Sequence, residues 1–136
     1  MIRVIMGKQG SGKTKAMIDL INEAVQNEHG SMVCIEQGKK LTFDIKHQIR
    51  LVEATSYEIS EYSSLKGFVS GLYAGNYDIT HVFIDSLCKI VPGECNGDTE
   101  KFLNWLDKFG NEHNIKFTIT ISDDASLAPD GVKKYL

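Results

Sequence analysis

MIRVIMGKQGSGKT, residues 1–14, is the stretch of sequence that decides the fold. The apolar run Met1–Met6 has the length of a buried strand, and a helical pattern of apolar residues begins after Lys15. Between the two, Gly7 is followed by four residues and then by Gly-Lys-Thr at 12–14. Because the loop stands between a strand pattern and a helix pattern, this spacing predicts a phosphate-binding loop.

Each residue type in the loop has a physical reason for its place. We expect Gly7, Gly10 and Gly12 to take positive φ and to let the backbone approach a ligand with no Cβ in the way. Successive N–H groups then form an anion-binding concavity at a helix N-terminus. We expect Lys13 to reach the β- and γ-phosphates of a nucleotide, and the Thr14 hydroxyl to join the coordination shell of Mg²⁺. The residues predicted to bind the nucleotide are Gly7, Lys8, Gln9, Gly10, Ser11, Gly12, Lys13, Thr14 and Lys15.

Composition limits the class of protein. The 136 residues, 42% of them hydrophobic, suit one globular domain over residues 1–136 with a core of its own. The net charge of −3 gives no basic field for nucleic acid or an anionic membrane, so we expect neither as a partner. No apolar stretch approaches the length of a membrane span, and no signal peptide precedes the loop. The three cysteines make no disulfide framework, which favours reduced thiols in a cytoplasmic protein.

The rest of the chain alternates helix and strand patterns. Helical spacing of apolar residues predicts helices over 13–28, 64–75 and 99–113, with Ser63 or Ser64 as the cap of the second. Apolar runs predict strands at 31–36, 49–53, 82–84 and 115–122. Pro129 is expected to begin a short last helix. The alternation predicts an α/β fold, a three-layer α/β/α arrangement with a mainly parallel sheet of about five strands.

Asp85 directly follows the apolar run Val82–Ile84. In parallel sheets ligands bind outside the carboxyl ends of the strands, so the topology alone brings this carboxylate near the loop. We predict that Asp85 holds Mg²⁺ through water, with Thr14 as the other metal-binding residue and Lys13 as its catalytic partner. The alternative is an aspartate that only caps the next segment.

Ser122 and Asp123 follow the last predicted strand. If that strand lies between the first strand and the Asp85 strand, either side chain could touch the γ-phosphate as a sensor. Ser122 is the candidate for nucleotide binding. The alternative is a strand end with ordinary turn residues.

Gly7–Thr14 together with Val82–Asp85 resembles the P-loop NTPase superfamily. Over nearly its whole length, the chain is similar to small single-domain ATP-binding proteins from clostridia and related Firmicutes, which often carry a twitching-motility PilT label. The shared stretches are MIRVIMGKQGSGKTKAMI (1–18), DIKHQIR (44–50), FIDSLCKIV (83–91), the strand end IS (121–122) and KKYL (133–136). The resemblance implies a three-layer α/β/α fold and nucleotide binding, with no established activity. PilT motors are far longer and have motifs that this chain lacks, so pilus retraction is not implied.

Two groups that phosphoryl-transfer enzymes commonly use are missing. Arginine commonly stabilises the charge of the transition state, yet the only arginines are Arg3, on the wrong side of the loop, and Arg50. Ser86 stands where many ATPases of the additional-strand class carry the glutamate that activates water. We therefore expect Arg50, a lysine, or an arginine from a second copy or another protein to complete the site.

Three functions are compatible with these residues. The first is Mg²⁺-dependent nucleoside triphosphate binding with weak or partner-activated hydrolysis, by a switch or assembly subunit. ATP is the expected nucleotide, because the guanine signature Asn-Lys-x-Asp is absent. The alternative is a kinase for a nucleoside or a cobinamide-like acceptor, which needs an acceptor pocket and a lid that only residues 41–60 and 91–99 could supply. In the third, the nucleotide is only a structural ligand.

Overall fold

Strands and helices alternate along the chain in the computed structural model, which describes residues 1–8, 10, 12–38 and 49–136. The strands are β1 (Ile2–Met6), β2 (Ser31–Glu36), β3 (Ile49–Glu53), β4 (Ile79–Ile84) and β5 (Lys116–Ile121). The α-helices are α1 (Lys13–Asn27), α2 (Tyr62–Gly75), α3 (Leu87–Ile90), α4 (Gly97–His113) and α5 (Asp130–Lys133). Single 3₁₀ turns lie at Ala54–Tyr57 and Ala125–Leu127.

The strands form one sheet in the order β1-β5-β4-β2-β3, and every pairing between them is parallel. This confirms the predicted α/β class and the parallel sheet of about five strands. β5 lies between β1 and β4, with Ile5 level with Thr120 on one side and Phe83 level with Thr118 on the other. The condition under which Ser122 was expected to lie near the phosphate loop is therefore met.

Both faces of the sheet are covered by helices. On one face, Met17 and Ile21 of α1 are fully buried and pack with Cys34 of β2 and Phe83 of β4. On the other face, α2 and α4 pack on the alternate residues of the same strands. This larger core includes Leu65, Val69, Phe102, Leu103, Leu106, Val33, Ile35, Val82, Ile84, Phe117, Ile119 and Ile121. Because both faces are buried, the strands are apolar along most of their length rather than alternating.

β5 is the strand that keeps polar residues on one face. Phe117, Ile119 and Ile121 join the core beneath α4, as their alternation predicts. Thr118 and Thr120 lie on the α1 face and are buried, and both use their hydroxyl groups in hydrogen bonds. The pattern of β5 thus separates a packing face from a polar face.

The beginnings of two helices differ from the predictions. Glu61, not Ser63 or Ser64, is the N-cap of α2: its carboxylate accepts the N–H of Ser64, whose hydroxyl accepts the N–H of Glu61 at 3.2 Å. α4 begins at Gly97 rather than Thr99, because the Asn96 side chain accepts the N–H groups of Asp98 and Thr99. α3 was not predicted, since a single turn has no periodicity to detect.

The segment that follows β5 covers the outer edge of β1. Pro129 precedes α5, as predicted, and Val132 is fully buried. The Val4 N–H donates to the Tyr135 carbonyl at 2.9 Å, and the Tyr135 hydroxyl donates to Asn104 Oδ1 at 2.6 Å. Leu136, the last residue, is half exposed. The last residues therefore supply a hydrogen-bond partner to a strand that has only one neighbour in the sheet.

Candidate functional site

Four strand ends meet at one edge of the sheet. Gly7 follows β1, Ser122 follows β5, Asp85 follows β4, and Glu36 is the last residue of β2. Because all these strands are parallel, their carboxyl ends lie together, and α1 starts from the same edge. The structure thus brings the predicted loop, the predicted Mg²⁺ carboxylate and the predicted sensor to one place.

The glycine-rich loop has the backbone that its sequence predicts at two of its three glycines. Gly10 has φ of 85° and Gly12, the N-cap of α1, has φ of 87°, a left-handed region that favours glycine. Gly7 differs, because its φ is not positive. It continues the path of β1 and donates its N–H to the Ile121 carbonyl at 3.3 Å, which ties the start of the loop to the end of β5.

Lys13 is the one residue of the loop whose charged side chain is buried, at 8% exposure. Its Nζ donates to the Lys8 carbonyl oxygen at 2.9 Å, so the ammonium group is held against the loop itself. Thr14 and Lys15 are exposed at the first turn of α1. Lys13 therefore presents its positive charge at the loop that precedes α1.

The remaining predicted loop residues contribute less to this geometry. Lys8 is highly exposed, and its Nζ lies 3.7 Å from Asp124 Oδ2, an ion pair that solvent screens. The pKa of Asp124 is lowered mainly by hydrogen bonds from the Ser126 N–H and hydroxyl, and less by Lys8. Gln9 and Ser11 lie outside the described residues.

Asp85 is a buried carboxylate, 4% exposed, with an ordered set of hydrogen bonds. Thr120 Oγ1 donates to its Oδ1 at 2.7 Å, and Ser86 Oγ lies 3.4 Å from its Oδ2. The N–H of Ser86, a residue in the left-handed region at φ 55°, donates to the same Thr120 oxygen at 2.7 Å. A buried charge needs such partners, and they also fix the direction in which the carboxylate points.

Glu36 is a buried carboxylate of this edge, 3% exposed, that the sequence analysis missed. Ile35 is level with Ile84, so Glu36 and Asp85 follow at the same height on neighbouring strands and point to the same face. Both line one small cavity, whose other residues are Gln37, Gly38, Ser86 and Lys89. The signal was available, since Glu36 ends an apolar run just as Asp85 does.

Cys34 lies on β2 two residues before Glu36, so its thiol is on the same face of the sheet as the two carboxylates. Burial raises its pKa well above the usual value, and the negative charges of Asp85 and Glu36 raise it further. Burial is the larger cause, and repulsion by the two negative charges adds to it. A cationic ligand would relieve that repulsion.

The end of β5 is bound to the loop that precedes α4. Asp123 Oδ2 accepts the Cys95 N–H at 3.3 Å, and its Oδ1 accepts the Asp124 N–H at 2.8 Å. Both carboxylate oxygens of Asp123 thus accept hydrogen bonds from backbone N–H groups, whereas Ser122 is half-buried at the end of β5.

Neither arginine lies at this edge. Arg50 is exposed on β3, the outermost strand, three residues before its end at Glu53. At about 3.3 Å per residue this separates it by roughly 10 Å from the carboxyl edge. Arg3 is exposed on β1 and lines a cavity near the opposite end of the strands, beside His81.

The described residues contain no group of three histidine, cysteine, aspartate or glutamate side chains that could hold a metal ion. Mg²⁺ does not require one, because it commonly uses one or two protein oxygens together with waters and phosphates. Asp85 and the Thr14 hydroxyl supply oxygen of the kind that Mg²⁺ prefers. The thiols are unsuited to it, and burial raises the pKa of Cys88 to about 11.

The sequence matches no protein-family model and no curated protein. Within the part of the chain that the structure covers, no helix is both long and apolar enough to cross a bilayer. The fold and the edge together define an all-parallel, five-stranded α/β protein with helices on both faces. Its distinguishing feature is a glycine-rich loop at the same sheet edge as two buried carboxylates.

Proposed function

We propose that this protein is a P-loop nucleotide-binding protein that binds Mg²⁺ and a nucleoside triphosphate, ATP in the first instance, and hydrolyses it slowly. The observation that carries the proposal is the position of the buried Asp85 at the same sheet edge as the loop that ends in Gly12 and Lys13. Sequence spacing alone gives only the loop. Its combination with a buried, oriented carboxylate two strands away supports a site for a metal and a triphosphate.

The roles follow from what each group can offer. The N–H groups of the loop and the N-terminus of α1 would bind the phosphates, and Lys13 would face the β- and γ-phosphate oxygens. Thr14 and Asp85 would hold Mg²⁺, which when bound neutralises charge on those oxygens. Ser122, at the end of the intervening strand, would lie nearest the γ-phosphate.

Glu36 gives the site a candidate base. Hydrolysis needs a group that orients and deprotonates water, and the position after Asp85 holds Ser86 instead of a carboxylate. Glu36 lines the same cavity as Asp85 and faces the same side of the sheet. We therefore place the water-activating group on β2 rather than on β4.

The missing arginine makes a second chain part of the proposal. Since Arg3 and Arg50 both lie away from the edge, fast hydrolysis would need an arginine from another copy of this chain or from a partner protein. The isolated chain is then a slow ATPase. This is the behaviour of a switch or an assembly subunit.

The experiment is thermal unfolding of the wild type and of Lys13→Ala with Mg²⁺ and ATP, ADP or GTP, with phosphate release measured in parallel. ATP at about 100 times its dissociation constant should stabilise the wild type by about 2.7 kcal/mol. Lys13→Ala should lose this gain, whereas Lys101→Ala, an exposed lysine of α4, should keep it. No shift with any nucleotide would overturn the proposal. Phosphate transfer to a nucleoside or cobinamide, without release to water, would favour the kinase instead.

A further inference from the structure

We propose that Thr120 is a positioning residue of this site: its hydroxyl sets which oxygen of Asp85 is offered to Mg²⁺. The proposal rests on the proposed function and adds a residue to it. Thr120 has no exposed surface and lies on β5, the strand between the one that leads into the loop and the one that ends at Asp85.

The hydrogen bonds of the Thr120 hydroxyl are directional. Its single hydrogen is donated to Asp85 Oδ1 at 2.7 Å, while its oxygen accepts the Ser86 N–H at 2.7 Å. Oδ1 is thereby engaged at short distance, and the longer 3.4 Å contact from Ser86 Oγ leaves Oδ2 the less engaged oxygen. A carboxylate held in this way has one oxygen fixed and the other available.

The register of the sheet explains why this position is suited to the task. Ile84 is level with Ile119, so Thr120 stands beside Asp85, and on its other side it is level with Ile5 of β1. A threonine here therefore touches the end of β4 from the strand that also borders the loop.

The backbone after Asp85 gives a second reason to involve Thr120. Ser86 is a non-glycine residue with φ of 55°, a conformation that persists only when its surroundings hold it. The bond from the Ser86 N–H to Thr120 is one of the contacts that hold it, so the same hydroxyl fixes both the carboxylate and the peptide behind it.

If the Thr120 hydroxyl only satisfied a buried carboxylate, its removal would lower the stability of the protein and nothing else. A positioning role predicts a change in metal affinity as well. Partners that orient a metal-binding group typically change metal affinity or activity by 10- to 100-fold when they are removed. The Mg²⁺ requirement of nucleotide binding therefore separates the two roles.

The test compares Thr120→Val, which keeps the shape and removes the hydroxyl, with Thr120→Ser, which keeps the hydroxyl. Thr118→Val is the matched control, since Thr118 is also a buried threonine of β5 and bonds His81 Nε2 at 2.8 Å, away from the site. For each, Mg²⁺ is titrated at fixed ATP and the gain in thermal stability is recorded. Binding of ATP in EDTA is measured separately.

We expect Thr120→Val to raise the Mg²⁺ concentration for half-maximal stabilisation by about tenfold or more and to leave ATP binding in EDTA unchanged. Thr120→Ser should stay within about threefold of the wild type, and Thr118→Val should lower the melting temperature without moving the Mg²⁺ midpoint. If Thr120→Val does not fold, Thr120→Cys, a weak donor, should give an intermediate midpoint. Whichever of Thr120→Val and Thr120→Cys is measured, a Mg²⁺ midpoint equal to that of the wild type would overturn the positioning role. This holds even if ATP binding itself is observed. Absence of ATP stabilisation in the wild type would overturn the proposed function, and this role with it.

Discussion

Glu36 and Asp85 stand side by side at the ends of two neighbouring parallel strands. The contact that sets them level is the hydrogen bond from the Asp85 N–H to the Ile35 carbonyl at 2.9 Å. Both side chains are almost fully buried, and they belong to one cavity. The pair therefore concentrates negative charge at this edge of the sheet, which a bound cation would offset.

Glu36→Gln is expected to separate binding from hydrolysis. Glutamine keeps the size of the side chain but cannot take a proton from water, so phosphate release should fall by about 10²- to 10⁴-fold. Stabilisation by ATP should remain at the wild-type level, because the loop and Asp85 are intact. Glu53→Gln is the matched control, since Glu53 is level with Glu36 one strand further from Asp85. Hydrolysis by Glu36→Gln at the wild-type rate would show that the base lies elsewhere.

Gly12→Ala is expected to damage the loop through its backbone. An added Cβ at Gly12 would meet no atom within 4 Å, so the cost comes from φ of 87°, which is about 1–2 kcal/mol for a residue with a side chain. Urea denaturation should show this loss, and ATP should no longer stabilise the variant fully.

Gly67→Ala provides the opposite control for that measurement. Gly67 lies inside α2 with open space around it, and its φ is not positive, so alanine should stabilise the protein by about 0.5–1 kcal/mol. Equal effects of the two substitutions would contradict the backbone argument.

His81 is expected to make the protein less stable in acid. Burial lowers its pKa, an effect that Glu28, 3.1 Å from Nδ1, opposes and that Lys116, 3.5 Å from Glu28, reinforces. Below the ordinary pKa of about 6.5 the unfolded chain therefore binds more protons than the folded one. The free energy of unfolding should fall as the pH drops from about 6.5 through the lowered pKa, and then level off.

Denaturant titrations at a series of pH values would test this dependence. His81→Gln should remove part of the acid loss, although it is less stable at neutral pH because Glu28 and Thr118 lose a partner. His29→Gln, which changes an exposed histidine, is the control substitution. The prediction is wrong if the profiles of His81→Gln and the wild type run parallel.

Local patterns predicted much of the fold. β2 and β3 have the predicted bounds, Ser31–Glu36 and Ile49–Glu53, because polar residues delimit each apolar run. The end of β4 before Asp85 was predicted for the same reason. Periodicity fails where an element has only one turn, as in α3, or where a less common residue caps a helix, as Glu61 does.

The site was predicted less completely than the fold because its contacts cross between strands. That Thr120 bonds Asp85, or that Glu36 stands beside it, depends on the strand order β1-β5-β4-β2, which no local pattern contains. Gly7 illustrates the same limit on a smaller scale. Its backbone is set by a hydrogen bond to Ile121, which is distant in sequence, rather than by the loop motif.

The hydrogen bond from Val4 to the Tyr135 carbonyl has a consequence for how the protein avoids self-association. An unpaired strand edge is a template for the strand of another molecule, and β1 would be such a template without this partner. The residues that cover this edge also support the strand that leads into the glycine-rich loop. Removal of residues 129–136 is therefore expected to cause aggregation before it changes any activity. The C-terminal segment protects the edge of the N-terminal strand from pairing with another molecule.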